Sequence, residues 1–292
     1  MHTCIPTPTH TCKHTHTHTH AHTHTCTHTQ FYASTASGYK DVVIIIDLYP
    51  QSNPNQFATS FYFRAASDLL LTLSPLDYFN IIAGNMSFKQ SLVKANSSEI
   101  SEAEQFLSTL RYTSIDQHLE VERGFTSLSV SRANGKSANC QSAIVIITER
   151  EITEQSVEQV RSRNEAYMEQ YSNPVKVFVN TFAFQPEGRT ELELVCNNSG
   201  IWNVIPPAEF GNRIAIAQKV TGYYKVLANA INFRDPIWSE VYTDAFGVGD
   251  VSTVCLPVYD NVVNIGAFLG VSCVDVPLAL FQEYPGGVTV GF

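Results

Sequence analysis

The sequence predicts an α/β fold, with a doubly wound, mostly parallel central sheet followed by a shorter β-rich segment, and three observations lead there. Val42-Val43-Ile44-Ile45-Ile46 is an unbroken run of β-branched apolar residues that ends at Asp47. Such a run reads as a strand covered on both faces, the kind found inside a parallel sheet. Ser142-Ala-Ile-Val-Ile-Ile-Thr148 is a second run of this kind, and Glu149 follows it. Around these two, strand-like and helix-like segments alternate, the pattern of βαβ units. In open α/β sheets ligands bind beyond the carboxyl ends of the strands, so Asp47 and Glu149 stand at the functional edge.

The elements follow in order. After a polar, turn-forming stretch from Leu48 to Asn53, Phe57, Phe61, Ala65, Leu69 and Leu73 recur at helical spacing, and Ser74-Pro75 stops that helix. Asp77 to Ala83 reads as a short strand, with Ser87 to Val93 as its hairpin partner. Ile100, Ala103, Leu107 and Leu110 form an amphipathic stripe for which Ser98 is a candidate cap. The stretch from Thr113 to Ala133 is less regular, and a helix is expected over 119–132. A charged helix over 152–170, a third buried strand from Pro174 to Phe182, a short helix from Glu191 to Cys196 and a strand from Gly200 to Ile205 come next. Phe210, Ile214, Ala217, Val220, Tyr224, Leu227 and Ile231 line one face of a long closing helix.

Residues 40–231 therefore make one domain, and 232–292 a second, partial one. In the latter, two Val- and Leu-rich runs flank Asp260-Asn261, which is good turn chemistry. A lone hairpin of that size is only marginally stable and needs neighbours. A turn centred near residues 261–262 places Cys255 opposite about residue 268, so Cys255 and Cys273 are not an obvious pair. Buried free thiols are the simpler reading of Cys140, Cys196, Cys255 and Cys273, and disulfides the alternative in an exported protein.

Residues 1–39 stand apart as a low-complexity tract with its lead-in. From Thr9 to Thr29 the text is nearly a Thr-His alternation, interrupted by Cys12, Lys13, Ala21 and Cys26. Extended, it would place histidines on one face about 6.6 Å apart, a zinc- or copper-binding pattern. An ACACAC nucleotide repeat also translates as Thr-His, so the tract reads as artefactual or disordered and is set aside from the fold, with the native start and any signal peptide expected to be missing.

Composition excludes several functions. The net charge is −9, with no basic cluster, which argues against nucleic acid. No run of 18 apolar residues is present, so no transmembrane helix is expected. His118, the single histidine outside the tract, has no serine or cysteine motif near it, and Gly247-Val-Gly-Asp-Val-Ser joins β segments with no helix to cradle a phosphate. An enzyme is not expected. Asn85, Asn96 and Asn197 each open an acceptor sequon, which points to glycosylation and export.

Taken together, the strand, acid, polar loop and helix at 40–57, the runs 138–148, 175–182 and 195–202, and Arg234 to Ala245 resemble the alpha-2/delta auxiliary subunits of voltage-gated calcium channels and the related VWA-and-Cache proteins. The segments 251–260 and 269–278 resemble the start of the family's Cache segment. The resemblance implies a von Willebrand factor type A (VWA) domain with a Rossmann-like sheet at 40–231 and a partial Cache segment after it. It also implies a fragment located on the extracellular face of a membrane. The partner implied is a channel pore-forming subunit or another membrane protein. The alternatives are a Cache-type amino-acid sensor, with Asp275 as the ligand-binding residue, and a VWA adhesion protein.

The metal site is where this chain departs from that family. A working site has Asp-x-Ser-x-Ser after the first strand, a loop Thr and a fourth-strand Asp. Here the motif reads Asp47-Leu48-Tyr49-Pro50-Gln51, and alignment on Gly124-Phe125 puts Leu119 at the Thr position, with Glu149 as the later acid. Asp47, Gln51 and Glu149 remain as oxygen donors, a degenerate set suited at most to weak Ca²⁺ or Mg²⁺ binding.

Overall fold

The computed structural model describes residues 2–3, 37–47, 57–110, 116–182, 188–230, 236–239, 241–244, 249–260 and 268–279. Gln51, Gly247, most of the His-Thr tract and the Asn261 turn position lie outside them.

The first central strand, β2 (Lys40–Asp47), is buried along its whole length. Its side chains divide between two layers: Val42, Ile44 and Ile46 enter one core cluster, and Val43 and Ile45 the other. A run apolar on both faces is what a strand covered by helices on both sides requires. The first layer holds α1 (Phe57–Leu70), α2 (Ser97–Thr109), α6 (Arg213–Val220) and α7 (Tyr223–Ala230). On the second lie α3 (Gln117–Ala133), α4 (Glu154–Tyr171) and α5 (Arg189–Asn197). Gly124 lets α3 close on the sheet, since a Cβ there would come within 3.3 Å of Ile45 Cδ1.

Parallel pairing joins β2 to β3 (Tyr78–Ala83) and to β6 (Gln141–Thr148), β6 to β7 (Val175–Phe182), and β7 to β8 (Ile201–Ile205). The spatial order β8-β7-β6-β2-β3 reverses direction of travel between β2 and β6. That reversal is the switch point at which doubly wound sheets place ligands. The register there sets Asp47 beside Thr148. The mostly parallel α/β fold expected from the sequence is thus the one observed. At one edge β1 (His2–Thr3), inside the tract set aside above, pairs antiparallel with β8.

Several boundaries differ from expectation. Instead of one strand over Ser87 to Val93, two short strands, β4 (Met86–Ser87) and β5 (Val93–Lys94), pair antiparallel with opposite ends of β3. Asn96, not Ser98, caps α2, its side chain accepting from Glu99 N at 3.0 Å. The closing helix is two: α6 and α7 are separated by a turn at Thr221-Gly222. At the far end of the sheet, Lys40 Nζ and Asp77 Oδ2 form a fully buried ion pair at 2.8 Å, and Asp77 also accepts from Lys40 N and Ser74 N. Those added hydrogen bonds offset the cost of taking both charges out of water.

A second sheet consists of β9 (Ile237–Trp238), β10 (Tyr242–Thr243), β11 (Asp250–Tyr259) and β12 (Phe268–Pro277), with β9 and β10 both paired to β11. Its register corrects the thiol reading: Cys255 lies directly opposite Cys273 and the two are bonded as a disulfide. The ladder pairs Tyr259 with Phe268 and Val258 with Gly270, with a register shift between them, so its register differs from that of a tight turn at 261–262. Cys140 and Cys196 each take part in a disulfide of their own.

Candidate functional site

The carboxyl edge of the sheet gathers polar side chains around Asp47. This residue closes β2, and its side chain is 1% exposed. A carboxylate so deeply buried must be matched by donors or lose its charge. Arg150, two residues past the end of β6, supplies a two-pronged match: Nε donates to Oδ2 at 2.7 Å and Nη2 to Oδ1 at 2.6 Å. This is the planar fork that guanidinium and carboxylate groups form with one another. Gln117 Nε2 donates to Oδ2 at 2.8 Å from the first turn of α3, and Thr148 Oγ1 lies 2.9 Å from the same atom. The Thr148 hydroxyl is equally placed to donate to Arg150 O, and it accepts from Arg150 N at 3.1 Å, which ties the arginine's backbone to the strand end.

A supporting ring fixes these donors. Gln117 Oε1 accepts from Thr153 N at 3.0 Å and from Ser156 Oγ at 3.1 Å, so the amide orientation is set by the start of α4. Glu191, fully buried on α5, accepts from Ile152 N at 2.9 Å and holds the loop after Arg150. One helical turn beyond Gln117, Glu120 accepts from Gly84 N at 2.6 Å, while its Oε2 is buried without a hydrogen-bond partner. Burial above all, and then the charge of Asp47, push the Glu120 carboxyl up to about 9, against the lowering influence of Gly84 N, Arg150 and Arg123. It is therefore protonated at neutral pH. Arg123 completes the clamp on the β3–β4 turn, donating to Gly84 O at 2.6 Å and Ser87 Oγ at 2.8 Å.

Of the residues singled out from the sequence, Asp47 and Glu149 do reach one edge, but their side chains have different partners. Glu149 is half-buried and accepts at 2.7 Å from the hydroxyl of Tyr62 on α1. Gln51 is outside the described residues. A divalent ion on Asp47 would have to displace a guanidinium that engages both carboxylate oxygens, and like charge opposes the two sharing it. Among the described residues no group of three or more His, Cys, Asp or Glu side chains converges as a metal set. The donors as they stand do not fit such an ion. Leu119, at the position aligned with the loop Thr, is 43% exposed beside this site.

Asp275 belongs to the other sheet. It is exposed on β12 and accepts from Thr253 Oγ1 at 2.7 Å and Tyr242 OH at 3.2 Å. Asn85 and Asn197 are exposed, whereas Asn96 is half-buried in its capping role. His118 is half-buried in the first turn of α3. Gln117, Glu120, Thr148 and Arg150 are the residues that sequence reasoning passed over. The available signal was Arg150, a cation placed just after a central strand that neighbours one ending in an acid.

No family model matches the chain. It is 27% identical over 285 residues to the alpha-2/delta-2 subunit of the voltage-dependent calcium channel of Mus musculus, and equally to those of Rattus norvegicus and Homo sapiens. These alignments take in 89% of this chain and 23% of each relative, so the chain spans about a quarter of their length. Among solved structures, a von Willebrand factor type A protein from Catenulispora acidiphila superposes with a TM-score of 0.52 at 10% identity, covering 70% of this chain and 46% of that one. The two kinds of likeness agree, one through sequence and the other through fold. This chain is similar in sequence to the calcium-channel alpha-2/delta-2 subunits and has a von Willebrand factor type A fold.

Proposed function

We propose that this chain is a non-enzymatic, extracellular protein-binding module, which docks a membrane-protein partner such as a calcium-channel pore-forming subunit through the carboxyl edge of its sheet. One observation carries the reading: the buried side chains of Asp47, Gln117 and Glu120 and the half-buried Arg150 converge at the switch point, with the apolar Leu119 exposed beside them. An exposed apolar side chain held on a rigid, polar-bordered edge suits an interface, whose core is apolar and whose rim is polar. No helix among the described residues is long and apolar enough to cross a membrane.

Export is supported by the Cys255–Cys273 disulfide, a bond that persists in oxidising compartments, and by exposed Asn85 and Asn197 as carriers of glycans. Residues 232–292 are part of a larger β domain of the Cache kind. In support, Trp238, Leu256, Val258 and Val274 are exposed, and the register and the strand alternation place them on one face of the second sheet. The Asp275, Tyr242 and Thr253 cluster is the polar feature there that suits an ammonium ligand.

Binding of the full chain to the extracellular loops of a voltage-dependent calcium-channel pore-forming subunit tests the docking face. Leu119→Glu is expected to weaken binding by about tenfold or more, and Met168→Glu, at an exposed position of α4, to leave it unchanged. Equal binding by Leu119→Glu and the unaltered chain would refute the assignment.

A further inference from the structure

We propose that Arg150 is the resident cation of this site: its guanidinium does for Asp47 what a divalent metal ion does at such a sheet edge, and so makes the site indifferent to metal. The inference stands apart from the identity of any docking partner. Three observations carry it. Asp47, at the switch point, is 1% exposed, and Arg150 engages both of its oxygens at 2.6 and 2.7 Å. The arginine is held for that task, since Thr148 bonds Arg150 N and O as well as facing Asp47. The third observation is Glu120, on the same helical face as Gln117 and one turn on, with an oxygen that is buried and unmatched.

Without the guanidinium, the two oxygens of Asp47, the spare oxygen of Glu120 and the Thr148 hydroxyl would form an oxygen-rich pocket. Irregular sets of oxygen donors suit Ca²⁺ better than Mg²⁺, which demands near-ideal octahedral geometry. Arg150 thus covers a latent calcium site, and its loss should open that site.

Calorimetric titration of the full chain with CaCl₂ and with MgCl₂, paired with thermal melting in EDTA and in Ca²⁺, provides the test. The unaltered chain should show no saturable uptake of either ion and the same Tm in both buffers. Arg150→Ala should melt at a lower temperature in EDTA, take up Ca²⁺ at least about tenfold more tightly than the unaltered chain, and recover Tm when the ion is added. Arg150→Lys keeps a cation and should stay metal-indifferent. Adding Asp47→Asn to Arg150→Ala should abolish the new uptake. Should Arg150→Ala fail to fold in EDTA, Arg150→Gln, which keeps the length of the stem, carries the same expectations. Saturable uptake of either ion by the unaltered chain that Asp47→Asn removes would overturn the proposal, as would an Arg150→Ala or Arg150→Gln protein that gains no Ca²⁺ uptake.

Discussion

Glu120 shows how one side chain ties this site to pH. In the unfolded chain it gives up its proton near 4.5, and in the folded chain, where burial penalises the charge, only near 9. Between those values the native state holds the extra proton, so stability falls as pH rises. Its favourable contribution is complete below about pH 4.5 and is lost on the way to pH 9. Lys176 acts oppositely at higher pH: burial lowers its ammonium from 10.5 to about 8, the unfolded state binds the extra proton above that, and stability rises from pH 8 toward 10.5. Glu120→Gln retains an acceptor for Gly84 N but cannot ionise. It should therefore exceed the unaltered chain in stability at pH 8, by a margin that shrinks toward pH 5 at no more than about 1.4 kcal/mol per pH unit. Urea unfolding at the two pH values reads this out, and parallel curves would show that Glu120 does not titrate as described. Nothing in the sequence marks Glu120 as special, because an acid in the first turn of a helix ordinarily faces solvent.

At the scale of elements, legibility followed the apolar signal. The cores of β2 and β6 are plain as apolar, mostly β-branched runs, since burial on both faces removes polar alternation, and β7 is legible as a Val- and Phe-rich run despite Lys176 and Asn180. Helix α3 was harder: it buries Gln117, Glu120, Ser127 and Ser131 along with Val121, Phe125 and Leu128, which blurs the stripe a helix normally shows. The Cys255–Cys273 pair is hidden from the sequence because a tight turn at 261–262 sets Cys255 opposite about residue 268, whereas the ladder sets it opposite Cys273. A slip by an odd number of residues turns every side chain to the other face, so a register error of this size hides a cross-strand pair such as Cys255–Cys273. This disulfide fastens a sheet with much apolar surface exposed, and closing a loop of this size contributes about 3 kcal/mol. Cys255→Ser combined with Cys273→Ser should make 237–279 the first region cut by protease while 40–230 resists. Unchanged cleavage kinetics there would mean that the hairpin is held by packing alone.

For the molecule as a whole, fold class and family resemblance were both available from the sequence, and the solved neighbour and the curated relatives agree with them. The chemistry of the site was only half available. That β2 ends at Asp47 is legible because strand ends are visible, and so is the absence of the serines that the resemblance would place after it. The group that satisfies Asp47 was not, because only the spatial adjacency of β2 and β6 brings Arg150 to it. The central claim is that this domain neutralises its buried acid from within. A crystal structure of the full chain grown with Ca²⁺ and Mg²⁺ in the drop tests it most directly. Arg150 Nε and Nη2 should lie against the two oxygens of Asp47 with no ion between them, whereas a coordinated ion on Asp47 with Arg150 turned away would contradict the account.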